Sequence, residues 1–148
     1  MQENELKIFI NSTMGYFENF SPEKPEIGVP YPKKSDALLL EYTGAIGISG
    51  ARKGCIYITA TTDFLSELIQ LMPGAPKADE AARLDMIGEL ANTVSGNAQN
   101  AFGAEFVISV PMVVTGTAAN IHLPLELPTF VIPFTWKGHR SFLVVGLK

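Results

Sequence analysis

Apolar residues recur three and four positions apart in a proline-free run, residues 79–102, and this pattern predicts one long amphipathic helix. One stripe of the helix is apolar and is expected to be buried. A second stripe at the same spacing is polar and runs beside it. Since residues three and four apart project from one side of a helix, Glu89 and Asn92 are expected to be neighbours. The apolar stripe is Leu84, Ile87, Ala91, Val94, Ala98 and Ala101, and the polar stripe is Asp85, Glu89, Asn92, Gly96 and Gln99.

The remaining patterns predict two more helices and five strands. Residues 3–19 form an amphipathic helix with Leu6, Ile10, Met14 and Phe17 aligned, and residues 64–72 form a second one. Residues 22–32 hold four prolines and are expected to be an extended connector or an edge segment. Residues 117–128 give no clear pattern. The predicted strands are 37–49, 54–60, 106–115 (interrupted by Pro111), 130–136 and 141–147.

Several single residues refine these strands. Gly44 and Gly47 inside the first strand indicate a bulge or the close approach of a helix, and Pro133 indicates an edge position or a bulge. Arg52 and Lys53 lie in the turn between the first two strands and are expected to be solvated. The order of elements predicts an α+β fold, a mainly antiparallel sheet with long helices packed on one face.

Composition and charge narrow the class of protein. A chain of 148 residues is expected to form one domain, residues 1–148, and no apolar run approaches the roughly 20 residues needed to span a membrane. The first residues lack the pattern of a secretion signal, and the single cysteine, Cys55, is typical of a reducing cytoplasm. The net charge is −4, and no cluster of Lys and Arg exceeds two adjacent residues. Both features argue against nucleic-acid binding.

The long helix carries unusual residues for its length. Asn92, Asn97 and Asn100, together with Gly88 and Gly96, put five poor helix formers into about four turns, at a total cost on the order of 3 kcal/mol relative to alanine. Sequences break local preferences mainly where a functional site needs the offending residues. Tight packing against another backbone, with the asparagines bonding to neighbouring turns, is the structural alternative, and the spacing alone does not choose between the two.

A resemblance to a known family enters at these residues. Glu89-x-x-Asn92, preceded by Asp85 and followed by Gly96-Asn97, resembles the motif of the CheC/CheX/FliY phosphatases of bacterial chemotaxis. The similarity extends over most of the chain. The first helix has no second E-x-x-N, so the chain is most similar to the single-motif CheX group.

The resemblance implies a function, a partner and a set of site residues. It implies a phosphatase of two-component signalling that removes the aspartyl phosphate of a CheY-like receiver. Asn92 is expected to orient the attacking water, because an amide accepts and donates hydrogen bonds without the charge that would repel a phosphoryl group. Glu89 is expected to engage the receiver's active-site lysine, while Asp85, Gly96 and Asn97 are weaker candidates for partner contacts. The resemblance also implies a homodimer and a Mg²⁺ ion held by the receiver, with no cofactor or metal of the chain's own.

Two other functions remain open from the sequence. The same helix face suits a non-catalytic module that binds a receiver or another cytoplasmic protein, since a fold does not fix an activity. A sensor that holds a small ligand between helices and sheet is the third possibility. Signatures of common enzyme sites are missing from the sequence: it has no nucleophile elbow, phosphate-binding loop, dinucleotide fingerprint or zinc spacing.

Overall fold

The computed structural model describes residues 1–33, 39–116 and 128–148. Three helices and eight strands lie in these ranges. The helices are α1 (Glu3–Phe20), α2 (Thr62–Gln70) and α3 (Glu80–Phe102). The strands are β1 (Glu26–Ile27), β2 (Tyr31–Pro32), β3 (Tyr42–Gly50), β4 (Gly54–Ala60), β5 (Phe106–Ile108), β6 (Met112–Thr115), β7 (Thr129–Trp136) and β8 (His139–Leu147).

The eight described strands form one sheet in which every pairing is antiparallel. The order is β1-β7-β8-β4-β3-β5, with β2 also pairing with β7 and β6 also pairing with β3. Two short pieces therefore border the sheet at each end, β1 and β2 at one end and β5 and β6 at the other. The predicted α+β fold with a mainly antiparallel sheet is confirmed.

All three helices pack on one face of the sheet, where they share one hydrophobic core. Because side chains alternate along a strand, every second residue of the central strands points to this face. The opposite face carries a smaller buried cluster, against which Leu39 and Leu40 pack. The main core includes Phe9 and Phe17 of α1, Phe64 and Leu68 of α2, Ile87, Leu90 and Val94 of α3, and Ile46, Ile56, Ile58, Leu143 and Val145 of the sheet.

Side-chain caps fix where the two later helices begin. Asp79 accepts a hydrogen bond from the backbone N–H of Ala82 at 2.9 Å, and Thr61 accepts one from Phe64 at 3.2 Å. Each cap satisfies an N–H group that has no partner within its own helix. At the other end of α3, Gly103 has a φ of 106°, which favours glycine and ends the helix there. None of the helices in the described ranges combines the length and apolar character that crossing a bilayer requires.

The long helix lies unusually close to the sheet at Gly44. A Cβ atom at this position would lie 2.8 Å from the carbonyl oxygen of Ile87 and 3.0 Å from the Cβ of Ala91. Gly44 thus confirms the predicted close approach of a helix. Gly47 instead lies beside Ser109, whose hydroxyl accepts a hydrogen bond from the Gly47 N–H at 2.9 Å. This contact falls where the outer strand is interrupted between β5 and β6, next to Pro111, as the sequence predicted.

Three expectations for the sheet and its turns were wrong. The edge position predicted for Pro133 was wrong, because β1 and β2 pair outside β7. The alternative, a bulge, is confirmed: between the two pairings residues 28–30 face only residues 132–133 of β7, and the carbonyl of Pro133 accepts from Gly28. Arg52 is not simply solvated, since it forms an ion pair with Glu5 and its Nε donates to the carbonyl of Lys148. Of the strand predicted over 37–49, residues 37–38 lie outside the described residues, and residues 39–41 precede β3, which begins at Tyr42.

Two segments remain to be compared with the sequence predictions, the first helix and the stretch 117–128. The buried face of α1 is centred on Phe9, Thr13, Tyr16 and Phe17, so the predicted stripe was shifted: Leu6, Ile10 and Met14 are only half-buried. Residues 117–127, which make up nearly all of the unassigned stretch 117–128, lie outside the described residues.

Replacing Gly44 with alanine is expected to destabilise the protein by about 1–3 kcal/mol, because the new methyl group would push the backbone of α3 off the sheet. Gly47→Ala is the matched control in the same strand. Its Cβ would meet only the Ser109 side chain, at an ordinary 3.6 Å. Urea unfolding of both variants measures the difference, and equal stabilities would contradict the close approach.

Replacing Glu5 with glutamine is expected to destabilise the fold by about 1.5–3 kcal/mol near neutral pH, since the hydrogen bond from Arg52 to this carboxylate is lost. That bond, more than any other contact, holds the pKa of Glu5 below its ordinary value of 4.5. Stabilisation by a depressed pKa is present above the unfolded pKa and disappears as the pH falls through the folded one. The difference in unfolding free energy between the wild type and Glu5→Gln should therefore shrink as the pH falls below 4.5 and through the folded pKa of Glu5.

Glu3→Gln provides the control for this titration. Glu3 lies in the same first turn, but its pair with Lys7 spans 3.9 Å and both side chains are largely exposed. An exposed pair of this kind contributes little to stability. A loss as large for Glu3→Gln as for Glu5→Gln would contradict the assignment.

Candidate functional site

The long helix α3 is held on three sides. It packs on β3 of the sheet, against α1 on one flank and against β5 and β6 on the other. Its buried arc is therefore wider than the predicted apolar stripe, and Met86, Gly88, Leu90 and Ser95 are buried as well. One member of the predicted stripe was wrong, because Ala101 is exposed near the end of the helix.

One face of α3 remains open, and it carries the polar residues that the sequence singled out. We name Asp85, Glu89, Asn92 and Gly96 the polar ridge. The first three are exposed, and a Cβ atom at Gly96 would have nothing within 4 Å. Within the described ranges, the side chains of Asp85, Glu89 and Asn92 make no hydrogen bond or ion pair. Their polar atoms are thus available to a partner or to water.

Tyr16 of α1 lies beside Glu89. This tyrosine is buried, and its hydroxyl donates to the sulfur of Met86 at 3.6 Å. Burial, aided by the negative charge of Glu89, raises the pKa of Tyr16 above its ordinary value, so the phenol stays neutral at physiological pH. On its α1 side Glu89 therefore faces a neutral, largely apolar neighbour, and no lysine or arginine of the described chain neutralises its charge.

Two amides at the far end of α3 fix the helix to its neighbours. Asn97 is half-buried, and its Nδ2 donates to the carbonyl of Ser12 in α1 at 3.1 Å. Gln99 donates in the other direction, to the carbonyl of Phe106 in β5 at 2.8 Å. These bonds set the rotation of α3 about its own axis, and that rotation decides which residues face outward.

The five poor helix formers thus divide into two groups. Gly88 and Asn97 have packing reasons: a Cβ at Gly88 would lie 3.2 Å from Val113, and Asn97 bonds to α1. Asn92, Asn100 and Gly96 have none, because the two asparagines are exposed and the space beside Gly96 is open. Packing thus explains Gly88 and Asn97, and a site on the polar ridge is left to explain Asn92 and Gly96; Asn100 lies outside that ridge.

The chemistry available at the ridge is that of a carboxylate and an amide one turn apart. In the described part of the chain, no three His, Cys, Asp or Glu side chains group together as a metal site would need. Cys55 is half-buried in β4, and burial raises the pKa of its thiol to about 11, so it is not a nucleophilic thiolate at neutral pH. The ridge itself can position water and bind complementary groups.

The sequence reasoning missed the flanks of this ridge. Tyr16 went unnoticed because the face of α1 was assigned to the wrong stripe, although the seven-residue spacing of Phe9 and Tyr16 was a usable signal. On the other flank, the sequence placed Val113 and Pro111 in a strand without indicating their contact with the long helix. Their position beside Gly88 depends on contacts distant in sequence.

Comparison with known proteins identifies the family whose model includes the polar ridge. A family model described as chemotaxis phosphatase CheX matches residues 42–135, well over half of the chain and including Glu89 and Asn92. No curated protein sequence gives a significant match.

Solved structures agree over the full length. A CheC-like superfamily protein from Shewanella sp. PV-4 is 26% identical, with a TM-score of 0.86 over 100% of this chain and 99% of that one. The chemotaxis protein CheX from Desulfovibrio desulfuricans is also 26% identical, with a TM-score of 0.86 over 98% and 99%.

A more distant structure shares the fold alone. It is the CheX–CheY–BeF3–Mg²⁺ complex from Borrelia burgdorferi, at 16% identity and a TM-score of 0.76 over 97% of both chains. The family model and the full-length structural matches lead to one conclusion. The chain belongs to the CheX family of chemotaxis phosphatases.

Proposed function

We propose that this protein dephosphorylates the aspartyl phosphate of a CheY-like receiver by docking its polar ridge into the receiver's phosphorylated pocket. The observation that carries the proposal is the exposure of Glu89 and Asn92 one turn apart, without a partner in the described chain. Family membership supports it, because the matching model describes a chemotaxis phosphatase. The related complex from Borrelia burgdorferi supports a receiver as the partner.

In this proposal Asn92 orients the water that attacks the phosphorus. Phosphoryl transfer to water needs a nucleophile in line with the leaving oxygen, and catalysis consists mainly of positioning and electrostatics. The Asn92 amide can accept a hydrogen bond from the water and donate one to the phosphoryl group. It carries no charge, so it does not repel the dianionic phosphate. The backbone of α3, held by β3 and α1, keeps the amide in place.

Glu89 has a different role in the proposal, which is to bind. Its carboxylate is free of described cations and can form a charge-assisted hydrogen bond with a lysine in the receiver's active site. Asp85 flanks it one turn earlier, and Gly96 leaves room for the backbone of the receiver to approach. Asn97 is proposed as a contact at the margin of this surface, while its Nδ2 holds α1.

The proposal places the metal on the partner. Mg²⁺ bound by the receiver neutralises part of the phosphoryl charge, and this chain contributes side chains only. We further propose that the protein works in the cytoplasm as a homodimer paired through strand edges, so that two polar ridges serve two receivers.

Asn92→Ala is expected to lower the rate at which the protein accelerates decay of a phosphorylated receiver by roughly 10²-fold, because the water loses its orientation. Asn100→Ala is the matched control, an exposed asparagine two turns further along the same helix. It should keep wild-type activity. Release of inorganic phosphate from the receiver measures both, and equal activity of the wild type and Asn92→Ala would overturn the assigned role. Saturable receiver binding without any acceleration would identify a binding module instead.

Glu89→Gln separates binding from proton transfer. Loss of the charged bond is expected to raise the KM for the phosphorylated receiver by roughly 10-fold or more, with kcat largely kept. The wild-type rate should be nearly flat above about pH 6, because Asn92 does not titrate. A steep acid limb that disappears in Glu89→Gln would make Glu89 a general base and contradict the binding role.

A further inference from the structure

The two halves of the described chain repeat the same order of elements. The first half consists of α1, β1, β2 and the hairpin of β3 and β4; the second consists of α3, β5, β6 and the hairpin of β7 and β8, and α2 joins the two. The short edge pieces of each half pair with the hairpin of the other half, β1 and β2 with β7, and β5 and β6 with β3. The hairpins meet in the middle of the sheet through β4 and β8. The sheet therefore has an approximate two-fold axis between β4 and β8.

The edge of each half is broken at the equivalent place. The segments Ile27-Gly-Val-Pro30 and Ile108-Ser-Val-Pro111 share three of their four residues. In each segment the residue after the isoleucine donates its N–H to the neighbouring hairpin, and the valine that follows is exposed, 83% in the first segment and 85% in the second. Sequence and structure therefore give the same alignment of the two halves. The two hydrogen bonds run from Gly28 to the carbonyl of Pro133 at 2.7 Å and from Ser109 to the carbonyl of Gly47 at 2.9 Å.

The shift along the chain that aligns these two segments also aligns α1 with α3. Two of the four positions of the polar ridge hold the same residue on α1, the asparagine and the glycine that follows it one turn later. The two acids of the ridge do not recur, which is why the first helix has no second E-x-x-N. The copy on α1 thus has the residue proposed to orient water and lacks the one proposed to bind the receiver. The aligned pairs are Asn11 with Asn92, Gly15 with Gly96, Ile8 with Glu89 and Asn4 with Asp85.

The copy on α1 is open to solvent. Asn11 is exposed, and its side chain makes no hydrogen bond or ion pair in the ranges that the structure describes. A groove of about 260 Å³ runs beside it between α1 and α3, lined by Ile8, Gly15 and, from the other helix, Asn97. Ile8 is only half-buried, so the position of the missing carboxylate also reaches the surface. The amide of Asn11 is therefore accessible to a partner, as the amide of Asn92 is.

We propose that α1 carries a second, latent copy of the phosphatase site, in which Asn11 has the role of Asn92 and the binding carboxylate of Glu89 is missing. The inference rests on the proposed function. The Ile8 side chain cannot form a charge-assisted bond to the lysine of the receiver, so the receiver is not held at α1. The Asn11 amide keeps its capacity to accept and to donate hydrogen bonds. A carboxylate in place of Ile8 is therefore expected to complete the site.

The completed site carries out the same hydrolysis as the ridge. A water oriented by Asn11 adds to the phosphorus of the aspartyl phosphate, and the bond between the phosphorus and the aspartyl oxygen breaks. Both protons of the water leave with the product as dihydrogen phosphate, and the aspartate is released as a carboxylate. No group on α1 is consumed in this step, because catalysis consists of positioning. A chain without a working ridge can therefore turn over once α1 binds the receiver.

The test is a gain of function in a chain whose polar ridge is silent. Glu89→Ala combined with Asn92→Ala removes both proposed roles on α3. Adding Ile8→Glu to this silent background is expected to raise the rate of phosphate release from the phosphorylated receiver roughly 10-fold or more. Two matched controls should stay at the background rate. They are Ile8→Gln, which has the same shape without the charge, and Ile8→Glu together with Asn11→Ala, which lacks the amide.

The rates and the stability of the variants decide the matter. Equal rates for the silent background with and without Ile8→Glu overturn the inference. So does a gain that Ile8→Gln shares, or one that persists when Asn11→Ala is added. A circular-dichroism melt reports the fold of each variant. Unfolding by Ile8→Glu also overturns the inference, because a position equivalent to the exposed Glu89 must tolerate a charge.

Direct titration with a CheY-like receiver in Mg²⁺ and beryllofluoride separates this inference from the proposed function. If the wild type does not accelerate phosphate release, the proposed activity fails, while tighter binding by Ile8→Glu than by Ile8→Gln in the silent background still supports a second copy on α1. If the wild type accelerates release and Ile8→Glu leaves the silent background unchanged, the latent site fails and the activity stands.

Discussion

The contact between α3 and β3 at Gly44 is the constraint on which the rest of the structure depends. Because Gly44 has no side chain, the backbone of α3 at Ile87 packs directly against the backbone of β3, and Ala91 packs next to Gly44. Because interiors are close-packed, such an approach fixes the height of the helix rather than leaving it to adjust. The hydrogen bonds of Asn97 to α1 and of Gln99 to β5 then fix its rotation. Height and rotation together determine where Glu89 and Asn92 point.

This rigidity matters because the proposed mechanism relies on the position of the Asn92 amide rather than on a nucleophile or a general base of this chain. An amide that orients water lowers the barrier only if it is already in the right place when the partner arrives. A flexible loop would lose much of this advantage on each encounter. Here the amide rides on a helix of 23 residues that is covered on three sides. Tyr16, which is buried and neutral next to Glu89, does not neutralise the charge of this carboxylate. In the proposed function that charge is available to bind the partner.

Local signals predicted much of the fold and the placement of the candidate site residues on one helix. Capping residues such as Asp79 and Thr61 and stop signals such as Gly103 act within one turn, so the helices could be located from sequence. The pairing of Glu89 and Asn92 follows from helix geometry alone. Contacts distant in sequence could not be read this way. The ion pair of Arg52 with Glu5, the strands outside Pro133 and the place of Val113 beside Gly88 each depend on how remote segments meet.

The break in the outer strand at Ser109 to Pro111 has a consequence for the behaviour of the protein in concentrated solution. A long, flat, unpaired strand is a template on which further chains can stack into fibrils. Here the border splits into a three-residue and a four-residue piece, separated by residues 109–111, of which Pro111 has no N–H group. Neither piece is long enough to seed an ordered stack. The same proline that interrupts the sheet thus lets the molecule carry exposed valines at its rim without inviting its own polymerisation.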